Sequence, residues 1–276
     1  MNRTMGPLTR ALGLPASGLR DDELEPVPVA ILDTGIDGSH PDLSGRMLCS
    51  IACLNAGGNA VTIEQNRTDA NNDLYGHGTA VASIIARIAP NARFIDVRVL
   101  GGDRLGSGEA MLAGLDHALG SDARLINMSL AAGGKFVPLL APLCDKAYRL
   151  GKPIVAARRN MPLVDEGYPA ALIPCIGVDN IGAGPESLWR YRTETIEFAA
   201  CGEGLPAAAA GGGYTTVTGS SFATPIVAGH VCRLMGAVPG LRPFEIKALL
   251  KEMSTLASMR AKSPGSDRAR RVPEPG

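Results

Sequence analysis

The sequence predicts one α/β domain, in which helices cover both faces of a mostly parallel sheet. Short, apolar, β-branched runs recur along the chain, and segments of helical length lie between them. Strands that alternate with helices are typical of such a sheet. The 276 residues are 45% apolar and 20% charged, which is the balance of a globular protein. No internal repeat or linker divides the chain.

The predicted elements follow in chain order. Strands are predicted at residues 27–32, 94–100, 125–130, 153–157 and 175–178. Helices are predicted at 77–87, 108–119, 138–150, 221–235 and 243–256. Before them, residues 1–26 form a lead-in with an acidic, solvated turn at 21–25. The core domain is expected to cover 27–262. Residues 263–276 are rich in Arg, Pro, Ser and Gly, and we expect a disordered tail there.

Composition excludes several classes of function. The 27 Lys and Arg equal the 27 Asp and Glu in number, so the excess of positive charge that nucleic-acid binding requires is missing. Aromatic residues make up only 4%, which argues against platforms for stacking bases. No apolar run reaches the roughly 18 residues of a membrane-spanning helix. We therefore expect neither a nucleic-acid partner nor a membrane partner.

Compartment and cysteine chemistry are predicted together. The first residues lack the continuous apolar stretch of a secretory signal, which favours the cytoplasm over an organelle or a trimmed secreted form. The six cysteines are then expected to be reduced and mostly buried thiols. Cys49 and Cys53 have no second pair of similar spacing, so a zinc site is not predicted.

Three segments each place one reactive side chain among small residues. Asp33 directly follows the first predicted strand, at the carboxyl edge of the sheet, where open α/β folds place their sites. His77 lies between two glycines at the start of a helix. Ser221 begins another helix, near backbone N–H groups that have no partner within that helix. Taken singly, each has an ordinary reading as a turn carboxylate, a structural histidine or an N-cap serine.

Taken together, these segments resemble the subtilisin-like serine peptidases, the subtilases. The matching motifs are Asp-Thr-Gly-Ile-Asp at 33–37, His-Pro-Asp-Leu at 40–43, Gly-His-Gly-Thr at 76–79 and Gly-Ser-Ser-Phe-Ala-Thr-Pro at 219–225. Supporting likenesses lie at 97–100, 126–130 and 167–169. The resemblance runs from about residue 27 to about 256. It implies a single-domain, subtilisin-like three-layer αβα sandwich.

The resemblance also implies a catalytic machinery. Ser221 would attack a peptide carbonyl, His77 would serve as the general base, and Asp33 would orient the imidazole of His77. The backbone N–H of Ser221 and the side chain of Asn160 would form the oxyanion hole. The expected function is a serine endopeptidase that acts on peptide or protein substrates through an acyl-enzyme, without a cofactor.

Substrate binding is expected at two strand edges, between which an extended peptide would lie. One edge comprises Leu130, Ala131 and Ala132, where the family has glycines at the two alanine positions. The opposite edge comprises Gly106, Ser107 and Gly108.

Arg158 and Arg159 depart from the family, which has a small residue and a glycine at these positions in the primary specificity pocket. One hypothesis is that they narrow or charge the pocket, favouring a small or acidic residue before the scissile bond. The other has them turned away or paired with Asp165 and Glu166. We favour pairing, because a buried unpaired arginine is costly.

The sequence predicts no metal site. Residues 77–90 lack the inserted calcium loop of many subtilases, and Asp42 supplies only one expected ligand, so we predict no metal and expect Asp42 to cap its own turn.

A peptide ligase or macrocyclase would need added structure to exclude water, and no insertion supplies a lid. A non-catalytic peptide-binding relative is a further alternative. A cytoplasmic peptidase must be restrained, which suggests a restricted range such as peptide maturation. The oligomeric state stays open.

Overall fold

A computed structural model describes residues 19–57, 60–103, 106–160 and 165–261. The predicted tail at 263–276 and residues 1–18 of the lead-in lie outside these ranges. Within the rest of the lead-in, a short 3-10 helix spans Asp21–Glu23, where the sequence predicts a turn.

Strands of the described chain form one large sheet and one hairpin. They are β1 (Val27–Asp33), β2 (Met47–Gly57), β3 (Ala60–Gln65), β4 (Ala92–Arg98), β5 (Leu125–Met128), β6 (Ile154–Ala157), β7 (Ile176–Asn180), β8 (Trp189–Tyr191), β9 (Phe198–Ala200), β10 (Leu205–Ala208) and β11 (Tyr214–Val217). The large sheet has the order β3-β2-β4-β1-β5-β6-β7-β9-β8, while β10 and β11 pair separately. All neighbours from β2 to β9 are parallel, and only the edge strands β3 and β8 are antiparallel.

Helices pack on both faces of this sheet. They are α1 (His77–Ile88), α2 (Gly108–Gly120), α3 (Val137–Arg149), α4 (Ser220–Ala237) and α5 (Pro243–Ala261). On β1, Val29 and Ile31 join the core cluster of α1, α4 and α5. The alternate residues Ala30 and Leu32 join the cluster of α2 and α3. Each fully buried large aliphatic side chain contributes about 1.5–3 kcal/mol to stability. The predicted three-layer fold is confirmed.

The five predicted strands are the inner strands β1, β4, β5, β6 and β7, and the five predicted helices are α1 to α5. The sequence missed β2, β3 and β8 to β11. Strand β3 is largely exposed, so its sequence lacks the apolar run of a buried strand. Strands β8 and β9 have three residues each, too few for a pattern to be read.

All six cysteines are free thiols; five are buried and Cys49 is partly buried. The expectation of mostly buried, unpaired thiols is thus confirmed. Burial raises the pKa of Cys53 to about 11 and that of Cys232 to about 12. These thiols are neutral at physiological pH and chemically inert.

None of the helices within the described ranges has the length and apolar character that a membrane crossing requires.

Asp96 is a carboxyl group in the middle of the sheet. It lies on β4, opposite Ile31 of β1 and Ser50 of β2, and is fully buried. The Ser50 hydroxyl donates to its Oδ2 at 2.7 Å. Burial raises the pKa of Asp96 to about 8, and the nearby negative charge of Asp73 acts in the same direction. Asp96 is therefore mostly protonated at neutral pH.

We expect Asp96 to lower stability as pH rises. Between pH 4 and about 8 the folded state keeps a proton on Asp96 that the unfolded chain has lost, so the free energy of unfolding falls over this window. Asp96→Asn removes this decline. Urea unfolding at pH 5 and pH 8 measures this change in the free energy of unfolding. An equal change in the wild-type protein and in Asp96→Asn would contradict the expectation.

Candidate active site

The three candidate catalytic residues meet at the carboxyl edge of the sheet. Asp33 ends β1, His77 begins α1, and Ser221 lies in the first turn of α4. His77 Nδ1 lies 2.7 Å from Asp33 Oδ1; the Asp33 side chain is 1% exposed and that of His77 7%. A carboxylate accepts hydrogen bonds, so Nδ1 carries the proton and Nε2 is the basic nitrogen.

Gly78 permits this contact between α1 and β1. A Cβ atom on Gly78 would lie 2.1 Å from the carbonyl oxygen of Gly35 and 3.1 Å from Cβ of Asp33. Any larger residue would push the first turn of α1 away from the end of β1. The glycine after His77 therefore serves close packing as well as access to the ring.

Asp73 fixes the start of α1, a role that sequence reasoning missed. It is buried, and its carboxylate accepts five hydrogen bonds. The donors are the backbone N–H groups of Tyr75, Gly76 and Thr79 and the hydroxyls of Thr34 and Thr79. A carboxylate at a helix N-terminus also interacts favourably with the helix dipole. The available signal was an Asp four residues before His77, just ahead of the predicted helix.

We expect Asp73→Ala to destabilise the protein by about 3 kcal/mol or more, because it leaves buried donors without an acceptor. Asp73→Asn keeps one oxygen and should lose less. Asp69→Ala, an exposed carboxylate in the same segment, is the matched control and should leave stability unchanged. Urea unfolding measures all three, and an Asp73→Ala variant as stable as the control would refute the assigned role.

Asn160 follows β6, and Ser220 fixes its amide. The Ser220 N–H donates to Asn160 Oδ1 at 2.9 Å, and the Ser220 hydroxyl lies 2.8 Å from the same oxygen. This pairing assigns Oδ1 as the acceptor and leaves Nδ2 as a donor beside the start of α4. A Cβ on Gly219 would lie 3.5 Å from that Nδ2. Ser220 was not among the predicted site residues, although the Ser-Ser pair at 220–221 hinted at it.

Three cavities meet at the catalytic residues. The first, of about 490 Å³, contains His77 and Ser221. The second, of about 450 Å³, lies against His77 and Phe222. The third, of about 310 Å³, contains Ser221 and Asn160. Because Ser221 borders two of them and His77 also borders two, they form one long groove that crosses the reactive side chains.

Residues of both expected substrate edges line the first cavity. Ser107 caps α2, accepting from the Ala110 N–H at 3.0 Å, and Gly108 is the first residue of that helix. Ser107 itself has extended backbone (φ −79°, ψ 149°), so the expected edge runs directly into the start of α2. On the other side, Ala132 is already paired with Tyr168 through both backbone groups.

Arg158 and Arg159 are both paired, as the favoured interpretation predicts. Arg158 contacts Glu166 and lies 3.0 Å from Asp179, and the hydrogen bond with Glu166 raises the pKa of its guanidinium. Arg159 Nη2 lies 3.2 Å from Asp165 Oδ1. The two arginines nevertheless still line the third cavity.

Asp42 does not cap its own turn, contrary to expectation. Its Oδ1 accepts from the Tyr214 hydroxyl at 2.8 Å, and Asp37 accepts from the turn N–H of Ser39 at 3.0 Å. The Tyr214 hydroxyl can reach the Asp42 carboxylate because the β10–β11 hairpin packs against the loop that contains Asp42. Within the described ranges, no cluster of three or more His, Cys, Asp or Glu residues could hold a metal ion. Asp42, the one calcium ligand that the sequence suggested, is hydrogen-bonded to Tyr214 instead.

Comparisons with known proteins agree with this geometry. The sequence model of the subtilase family (peptidase S8) matches residues 25–270. The major intracellular serine protease of Bacillus subtilis (strain 168) is 34% identical over 220 residues, which cover 74% of this chain and 66% of that protein. Alkaline elastase YaB of Bacillus sp. (strain YaB) is 29% identical over 266 residues, covering 92% of this chain and 64% of the elastase. The chain thus spans slightly less than two thirds of the length of these relatives.

A solved structure, the S41 psychrophilic protease, superposes with a TM-score of 0.67 at 26% identity, and the match covers 82% of each chain. Its fold agrees with the parallel sheet and the two helical layers described above. The match of the family model over most of the sequence, together with this fold, shows that the chain belongs to the subtilase family.

Proposed function

We propose that this protein is a serine endopeptidase that hydrolyses peptide bonds through an acyl-enzyme. The observation that carries the proposal is the buried Asp33–His77 hydrogen bond of 2.7 Å, in a groove that also contains Ser221. The groove continues past both His77 and Ser221, so it suits an extended chain cut in its interior.

In the first step, Ser221 Oγ attacks the substrate carbonyl carbon while His77 Nε2 takes the hydroxyl proton. Asp33 stabilises the imidazolium that results. The carbonyl oxygen becomes an oxyanion, to which the Ser221 backbone N–H and Asn160 Nδ2 donate. His77 then gives its proton to the leaving amine, and the carbon–nitrogen bond breaks. Water repeats the sequence on the acyl-enzyme and releases the second product.

The proposal includes a restricted substrate range, such as maturation of a peptide precursor, and a cytoplasmic location. Paired arginines beside Ser221 support the restricted range, because they limit the space in the third cavity. The buried free thiols and the name of the Bacillus subtilis relative, an intracellular protease, support the location. Peptides or proteins are the proposed partners, rather than nucleic acids or membranes.

Covalent labelling by a fluorophosphonate probe tests the nucleophile. We expect labelling of the wild-type protein and none of Ser221→Ala, whose turnover falls by about 10⁶-fold, the loss known for subtilisin. Absence of labelling in folded wild-type protein would favour the non-catalytic peptide-binding relative. Transfer of the acyl group to an added amine in preference to water, measured by mass spectrometry, would favour the ligase.

Removal of divalent cations should not change stability, because Asp42 is bound to Tyr214. We expect the same Tm with and without an excess of calcium chelator. A marked drop in Tm with the chelator, restored by added calcium, would show that the protein holds a stabilising calcium ion.

A further inference from the structure

Catalytic geometry identifies the cavity that receives the residue before the scissile bond, called P1. The substrate carbonyl carbon must lie at Ser221 Oγ, with its oxygen toward Asn160 Nδ2. The P1 side chain is attached one bond away, so it enters the third cavity, which Ser221 and Asn160 share. The leaving amine must instead face His77, which protonates it, so the following residue lies toward the second cavity.

Arg159 lines this third cavity. Its Nη2 donates to the carbonyl oxygen of Ala132 at 3.1 Å, so the side chain reaches from the segment after β6 to the segment after β5. Gly167 lies behind it: a Cβ on Gly167 would be 2.9 Å from Cβ of Ala131 and 3.1 Å from Cβ of Arg159. Among the described residues, the lining of the cavity includes Arg159 but neither Ala132 nor Gly167, so we place Arg159 between the cavity and these two residues.

The backbone around Arg159 is held in place. The Arg159 N–H donates to the Glu166 carbonyl at 2.9 Å, and the Arg158 N–H donates to the Val178 carbonyl at 2.8 Å. The side chain therefore cannot leave the cavity by a shift of its own backbone without breaking these bonds.

The charge of Arg159 is already compensated. Asp165 lies 3.2 Å from its guanidinium, and the Ala132 carbonyl accepts from the same nitrogen. Its Nε has no partner among the described residues, but that atom is fully buried and out of reach of a side chain entering the cavity. An acidic P1 residue would thus meet Asp165 as well as Arg159, and would gain little attraction for the loss of its hydration.

We propose that Arg159 closes the P1 pocket and restricts cleavage to sites after Gly, Ala or Ser. This inference rests on the proposed function, since it concerns the substrate of the same site. Arg159 thus shortens the pocket but does not make it attractive to acidic P1 side chains.

A panel of fluorogenic peptides that differ only at P1 tests the proposal. We expect kcat/KM with P1 Ala to exceed that with P1 Phe or P1 Glu by about 100-fold, the size of discrimination that steric exclusion from a pocket achieves. Preference for Glu would show that the charge of Arg159 recruits substrate, and preference for Phe would show that the pocket is open. Either result overturns the proposal.

Variants of Arg159 and Asp165 test which side chain sets the P1 preference. Arg159→Gly should raise the Phe-to-Ala ratio of kcat/KM by about tenfold or more, because it extends the cavity toward Ala132 and Gly167. Asp165→Asn leaves the guanidinium without its charge partner, so the Glu-to-Ala ratio should rise. Arg87→Ala, which removes a guanidinium paired with Glu186 away from the cavity, is the matched control and should keep both ratios. An unchanged Phe-to-Ala ratio in Arg159→Gly would sink the proposal.

Fluorophosphonate labelling of each variant separates this inference from the proposed function. The probe reports on Ser221 and needs no P1 side chain. Labelled protein with the wrong P1 preference refutes the role of Arg159 alone, whereas unlabelled wild-type protein refutes the peptidase function itself. A labelled Arg159→Gly variant also shows that the substitution leaves the active site folded.

Discussion

The close approach of α1 to the end of β1 is the constraint on which the site depends. With no side chain at Gly78, the first turn of the helix packs against the carbonyl of Gly35. Only at this separation can His77 reach Asp33 with a 2.7 Å hydrogen bond. Asp33 comes from the sheet and His77 from the helix. The packing of the helix on the sheet therefore also positions the imidazole. The groove is then built around a fixed ring.

Three of the buried carboxyl groups in this region each avoid an uncompensated charge in a different way. Asp33 accepts from His77, and Asp73 accepts five hydrogen bonds at the start of α1. Asp96 accepts from the Ser50 hydroxyl, and burial nevertheless raises its pKa so that it stays largely protonated. Burying an uncompensated ionised group is unfavourable. These carboxyl groups avoid it through a histidine partner, through several hydrogen-bond donors or by remaining protonated.

Sequence predicted the inner strands β1, β4, β5, β6 and β7 and the helices because buried strands and amphipathic helices leave periodic apolar patterns. It could not predict the exposed strand β3 or the hairpin of β10 and β11, whose order comes from pairing partners distant in the chain. The triad residues stood out by their motifs. Ser220 and Asp73 did not, because their roles depend on which donors and acceptors the fold brings to them. The sequence favours pairing of Arg159 with Asp165, but the hydrogen bond from Arg159 to the Ala132 carbonyl depends on the tertiary structure.

The thiols have a practical consequence for handling the protein. Five of the six cysteines are enclosed in the core, and the pKa of Cys53 and of Cys232 is raised so far that hardly any thiolate exists at neutral pH. Cys49, on the second strand of the sheet, is the partly accessible one. A dye, a spin label or a cross-linker that reacts with sulfur would therefore attach at one defined point. Intermolecular disulfides formed during storage in air would join two molecules at that same residue.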